Sequence, residues 1–230
     1  MFFIDYWYYI LVVPALLLSL LTAANVKRTF AKYSASPSAS GMTGADSARR
    51  ILNENGLTGV RIERVTGELT DHYDPRSNTI RLSESVYDAA TTAAVGVAAH
   101  EAGHAVQYAS GYFPIKLRAA LIPATQIGSN LAMPLVLLGL LMGFEQLAMI
   151  GVIAFSLSTL FQLVTLPVEF NASARALRSL ESSGRMDETE MQGARRVLSA
   201  AALTYVAALA VSLANLLRLF LLVSGRNRRR

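Results

Sequence analysis

Four long apolar blocks interrupt the chain, at about residues 6–24, 121–142, 147–166 and 197–223. Each has about 20 residues or more, enough to cross a hydrocarbon core of ~30 Å at ~1.5 Å rise per residue. The pattern therefore predicts four transmembrane helices. Only Asp5 precedes the first block, so the basic region that opens a secretory signal is missing and the block reads as an uncleaved anchor. Phe2, Phe3, Tyr6, Trp7, Tyr8 and Tyr9 form an aromatic belt at its start, and Pro14 predicts a kink. Residues 143–146 are a tight turn, which makes the middle blocks a helical hairpin. Gly139 and Gly143 form a GxxxG that favours close packing against the neighbouring helix over a dimer face. The last block carries Arg218 near its end, where the side chain is expected to snorkel toward the interface.

Between the first block and the hairpin the periodicity changes. Residues 31–40 are rich in Ser, Ala and Pro and read as a linker. TGADSARRILNENGL predicts a helix capped by Thr43 or Asp46, with Ala48, Ile51 and Leu52 as its apolar stripe and Gly56 at its stop. VRIERV alternates like a strand. ELTDHYDPRSNTIRLS predicts a β-hairpin with arms 68–73 and 79–83 and a turn over 74–78. From Tyr87 an alanine-rich helix is expected, and residues 171–196 read as a second soluble helical piece. The expected fold class is a mainly α membrane protein with a small α+β region. Its expected divisions are an anchor (1–26), a soluble α+β region (27–118), a transmembrane hairpin (119–166), a soluble helical segment (167–196) and a C-terminal hydrophobic helix with a basic tail (197–230).

Charge and composition narrow the partners. The net charge of +5 comes largely from cations beside apolar blocks, so anionic lipid head groups are the expected partner and nucleic acid is not. An excess of such cations marks the cytoplasmic side. Lys27, Arg28, Lys32, Lys116, Arg118, Arg175, Arg178, Arg185, Arg195 and Arg196 fall together if the N-terminus lies outside; the tail RNRRR opposes that count. With no cysteine, any metal must take histidine and carboxylate ligands.

Two of the three histidines lie in VAAHEAGHAVQ. On a helix, positions i and i+4 share a face, so His100 and His104 can ligate one zinc ion. Glu101 is then placed to deprotonate a zinc-bound water, the general-base role in peptide hydrolysis. Gly103 costs about 1 kcal/mol against alanine in a helix, which predicts close approach of another element. The bare pentapeptide also arises by chance, and a lone histidine on an apolar helix is usually a core residue. Here the motif's predicted helix, the hairpin before it and an available third ligand favour the metal.

A catalytic zinc needs a third protein ligand. His72 in the hairpin and Glu169 in LPVEFNASARAL are the candidates, although Glu169 also suits a solvated carboxylate at a helix start. Two crossings separate the motif from Glu169, so the glutamate returns to the face the chain left. Asn171 is placed to hydrogen-bond a ligand. His72, Tyr112 and Tyr205 are candidate donors to a developing oxyanion, with packing as the plainer role for Tyr205. Either hairpin arm can bind extended peptide by strand addition or simply pack on the helix.

LTDHYDPRSNTIRLSESVY, VAAHEAGHAVQ, LPVEFNASARAL and ALTYVAAL together resemble the YugP-like neutral zinc metallopeptidases of bacterial membranes, over most of the chain after residue 40. The arrangement is also similar to HtpX-type membrane proteases, where a helical hairpin separates HExxH from a glutamate ligand. The resemblance implies one zinc per chain on His100, His104 and Glu169, with Glu101 as base. An aspartate follows the glutamate by four residues in HtpX-type sites; Ser173 stands there in this chain. The expected protein is a multi-pass zinc metalloendopeptidase of the bacterial plasma membrane, cleaving peptide or protein substrates at the cytoplasmic face. The alternative is a zinc-containing membrane scaffold or assembly partner, which has no need of Glu101. Cleavage within the bilayer is disfavoured by Glu84, Asp88, Thr91 and Thr92 ahead of the motif. Association into a homo-oligomer is left open by the sequence.

Overall fold

The structure is a computed structural model and describes residues 5–227. Phe2 and Phe3 of the aromatic cluster and Arg228, Arg229 and Arg230 of the basic tail lie outside the described residues. A π-helical turn, Tyr8–Val12, leads into α1 (Val13–Ser34) and then α2 (Gly44–Glu54). Strands β1 (Arg61–Val65), β2 (His72–Asp74) and β3 (Thr79–Ser83) follow, then α3 (Glu84–Tyr87) and α4 (Thr92–Ala109). Three long helices complete the chain: α5 (Phe113–Met142), α6 (Glu145–Ser182) and α7 (Glu188–Asn227). Among the described residues, the helix begun at Tyr8, with α5, α6 and α7, gives four helices long and apolar enough to cross a membrane.

The chain divides into two compact units. One contains Lys116–Pro167 with the chain ends, up to Thr22 and from Thr204. The other contains Ala23–Ile115 and Val168–Leu203. In the first, the membrane unit, apolar side chains stay exposed: Leu17, Leu20 and Leu21 of α1 are all open, and no residue of α1 is buried. Lipid is the partner such a surface requires. Pro14 lacks an N–H and crowds the carbonyl four residues back, at Ile10. Ile10 lies inside the π-helical turn, whose looser ladder accommodates the proline.

Close helix contact dominates the hairpin, as the glycine spacing predicts. A Cβ on Gly139 would run into the backbone of Ala148, and Ser129 shares a 2.6 Å hydrogen bond with Ser158 across the pair. Arg218 departs from expectation. It is 6% exposed, donates from Nε and Nη2 to Asp5 at 2.8 Å, and lies 5.2 Å from the Tyr8 ring centroid. A carboxylate brought by the N-terminal segment neutralises it, so it has no need to reach for the interface.

In the second unit α2 starts on a capping box. Thr43 Oγ1 accepts from the Asp46 N–H while the Asp46 carboxylate accepts from Thr43 N–H. Ala48, Ile51 and Leu52 are buried, together with Ile80 and Leu82 of β3 and Ala94, Ala98, Ala102 and Ala105 of α4. Small side chains on α4 let its neighbours approach closely. The sheet order is β1-β3-β2, with β1 parallel and β2 antiparallel to β3. Hence residues 79–83, offered by the sequence as a docking arm, form the central strand, paired on both sides; β2 is a free edge.

The alanine-rich helix begins at Thr92, capped by Thr91, after the short α3. Residues 171–196 are not a separate helical piece. They are the end of α6 and the start of α7, joined through a turn that includes Gly184. Pro167 does not end α6, because the helix runs on through it.

Candidate metal centre

α4 is an almost wholly buried helix, and both histidines of its motif meet α6. Gly103 marks the contact: a Cβ there would lie 2.7 Å from the Ala172 carbonyl oxygen. The absence of a side chain thus brings the backbones of α4 and α6 together. One α4 turn carries His100 and His104, whose rings sit 4.6 Å apart, edge to face. Across from them stands Glu169, with its side chain 2% exposed. His100 Nε2 lies 3.2 Å and His104 Nε2 3.6 Å from Glu169 Oε2. The ligand atoms of all three residues lie within 4.8 Å of one another.

These spacings fit a metal. Ligand atoms ~2.0–2.1 Å from a tetrahedral ion sit about 3.3 Å from each other, between the two contacts observed. Two imidazoles and a carboxylate are also a donor set that zinc takes. Burial lowers the proton affinity of His104, but hydrogen bonding to Glu169 and the charges of Glu101 and Glu169 outweigh it, so its pKa is raised. The cluster favours positive charge between its members, which a cation supplies.

The other ring nitrogens are held in place. His100 Nδ1 is 3.1 Å from Ser173 Oγ, and His104 Nδ1 is 3.0 Å from Gln107 Oε1. Gln107 is fully buried, and its Nε2 donates to the Val168 carbonyl at 2.8 Å and to Asn171 Oδ1 at 3.0 Å. Both amide hydrogens therefore meet oxygens, leaving Oε1 to accept from His104 Nδ1–H. That fixes the tautomer in which Nε2 keeps its lone pair for a ligand. Asn171 Oδ1 also accepts from Arg175 Nε at 2.8 Å.

Asn171 thus reaches His104 only through Gln107, a residue the sequence reading passed over. Its signal was present: Gln107 is three residues beyond His104, on the same helical face. Ser173 fills the position where HtpX-type sites carry aspartate, and it contacts His100. Glu101 is 8% exposed, close enough for its charge to act on His104. The remaining sequence candidates are placed differently. His72 is exposed on β2, with Nδ1 2.8 Å from the Thr70 carbonyl. Tyr112 has the Arg175 guanidinium 5.9 Å from its ring centroid. Tyr205 belongs to the α7 segment from Thr204 onward, in the membrane unit. β2 is tied to the motif helix by an edge-to-face contact between Tyr73 and Tyr108, centroids 5.6 Å apart.

The family described as "Putative neutral zinc metallopeptidase" matches residues 8–224. The chain belongs to this family. "Putative membrane protease YugP" of Bacillus subtilis (strain 168) is 48% identical over 218 residues, which cover 94% of this chain and 97% of that protein. No solved structure matches. The zinc metallopeptidase family and its membrane-protease relative accord with four helices able to cross a membrane and a His-His-Glu cluster in one chain.

Proposed function

We propose that the chain is a membrane-bound zinc metalloendopeptidase in which His100, His104 and Glu169 hold the metal and Glu101 is the general base. The observation that carries this reading is the convergence of three donor atoms within 4.8 Å from residues 69 positions apart in sequence. Zinc bound there supplies Lewis acidity, lowering the pKa of water and polarising a peptide carbonyl. The residues of the chain do the rest. Ser173 and Gln107 hold the two imidazoles in orientation. Glu101 takes a proton from the attacking water at its carboxylate and delivers it to the departing amine nitrogen.

An extended peptide finds hydrogen-bonding partners on the free edge of β2, beside α4, in the manner of strand addition. His72 and Tyr112, in the same unit as the cluster, are the candidate donors to the oxyanion. The relative's membrane-protease name and the charge distribution support protein or peptide substrates at the cytoplasmic face of a bacterial plasma membrane.

Purified protein tests the assignment by elemental analysis and by hydrolysis of an unfolded, casein-like substrate. Glu101→Gln should keep its zinc and lose roughly 10²–10⁴ in rate, the usual contribution of a positioned base. Glu169→Ala should lose zinc. Unchanged turnover in the first variant removes the mechanism. A full equivalent of metal in the second, with loss in His72→Ala, moves the third ligand to the hairpin.

A further inference from the structure

A groove of about 660 Å³ lies where the end of α1 runs beside the start of α7, within the unit that carries the metal cluster. Arg28 and Lys32 line it from α1, and Arg195 and Arg196 line it from α7. No carboxylate lines it, and among the described residues none of the four cations forms an ion pair. Tyr33 separates the two helices: Arg196 Nη1 lies 3.4 Å from its hydroxyl, and Gly193 leaves room for its ring. Arg28 and Lys32 stand at i and i+4, a like-charge spacing that destabilises a helix unless an anion compensates it.

The position along each helix identifies the anion. Arg28 follows the first apolar block by four residues, about 6 Å along a helix. Arg195 and Arg196 directly precede the fourth block. Leu203, 47% exposed, lines the same groove from inside that block. The cleft is thus cationic at the level of lipid head groups and apolar toward the acyl chains. We infer that it is a binding site for the phosphodiester head group of an anionic phospholipid, with phosphate oxygens on the guanidinium groups and an acyl chain along Leu203. This site is independent of the hydrolytic reading, since it shares no residue with the metal cluster.

The test is native mass spectrometry of the full chain in detergent micelles, titrated with cardiolipin, phosphatidylglycerol or phosphatidylcholine. Wild type should retain the two anionic lipids in preference to phosphatidylcholine. Arg28→Gln and Arg196→Gln should each weaken retention about fivefold, and the double variant about 25-fold, from the usual worth of one cation near an anionic surface. Arg196→Lys should keep most of the binding, which separates loss of charge from loss of fold. Lys27→Gln is the matched control, because Lys27 is exposed on α1 and does not line the groove. Equal loss in Lys27→Gln, undiminished binding in the double variant, or equal retention of phosphatidylcholine would overturn the site. Displacement of bound cardiolipin by inorganic phosphate alone would reassign it to a soluble anion.

Discussion

Gly103 shows how much a single methyl group decides. It lies on the helical turn that carries His100 and His104, where α4 meets the backbone of α6. Gly103→Ala must push the helices apart, at a cost typical of overpacking, about 1–3 kcal/mol. The expected outcome is a lower melting temperature together with lower zinc content. A variant as stable and as metal-rich as wild type would show that α6 yields without moving Glu169. Gln107 and Ser173 act on the rings instead of the backbone. Gln107→Ala and Ser173→Ala should each weaken zinc about 10–100-fold in competition with a chelator, the range found when partners of ligating imidazoles are removed. At this scale the sequence was informative wherever chemistry has fixed spacing. Helical periodicity put His100 and His104 on one face, and the count of crossings allowed Glu169 beside them, where the structure brings the three together. The roles of Gln107 and Ser173 depend on which side of each ring meets α6, and no linear pattern encodes that.

Elements were legible where a local signal existed. The polar pair Thr43 and Asp46, either one a possible cap, marked the start of α2, where the structure makes Thr43 the cap, and the turn residues placed the β2–β3 hairpin. The parallel pairing of β1 with β3 had no such signal, so the edge and the centre of the sheet could not be told apart. Helix ends at the membrane boundary misled for a related reason. Hydropathy stops where lipid stops, but α6 and α7 continue as single helices into a region with its own core. The hairpin turn also has a pH signature. Asp74 accepts from the Ser77 hydroxyl, the Arg76 N–H and Arg81, which together hold its carboxyl down to about 2. A depressed carboxyl contributes stability above its unfolded value of about 3.9 and loses it as pH falls through about 2. The melting-temperature difference between wild type and Asp74→Asn should therefore shrink across that window. A gap that stays constant would mean the turn does not depend on the ionised side chain.

For the molecule as a whole, the pairing of Asp5 with Arg218 joins the first and last helices of the membrane unit. Arg218 is buried, so Asp5→Asn removes the carboxylate that pairs with its charge. Asp5→Asn should cost about 3 kcal/mol and lower the melting temperature in detergent, while Asp5→Glu should restore most of it. If Asp5→Asn melts like wild type, Arg218 has found water or another acceptor. The last apolar block, whose crossing the basic tail had left in question, lies within α7, a single helix long and apolar enough to cross a membrane.

His100 and Glu169 are 69 residues apart, with the whole hydrophobic hairpin between them. A ribosome therefore releases both histidines and the proposed base, Glu101, long before the carboxylate exists. During that interval the nascent polypeptide carries two of the proposed ligands and cannot complete the third coordination bond. Proteolytic competence then waits on insertion of two further segments into lipid. Order of translation would thus do for the proposed peptidase what a cleavable prosegment does for other proteases, withholding activity until the chain is properly housed.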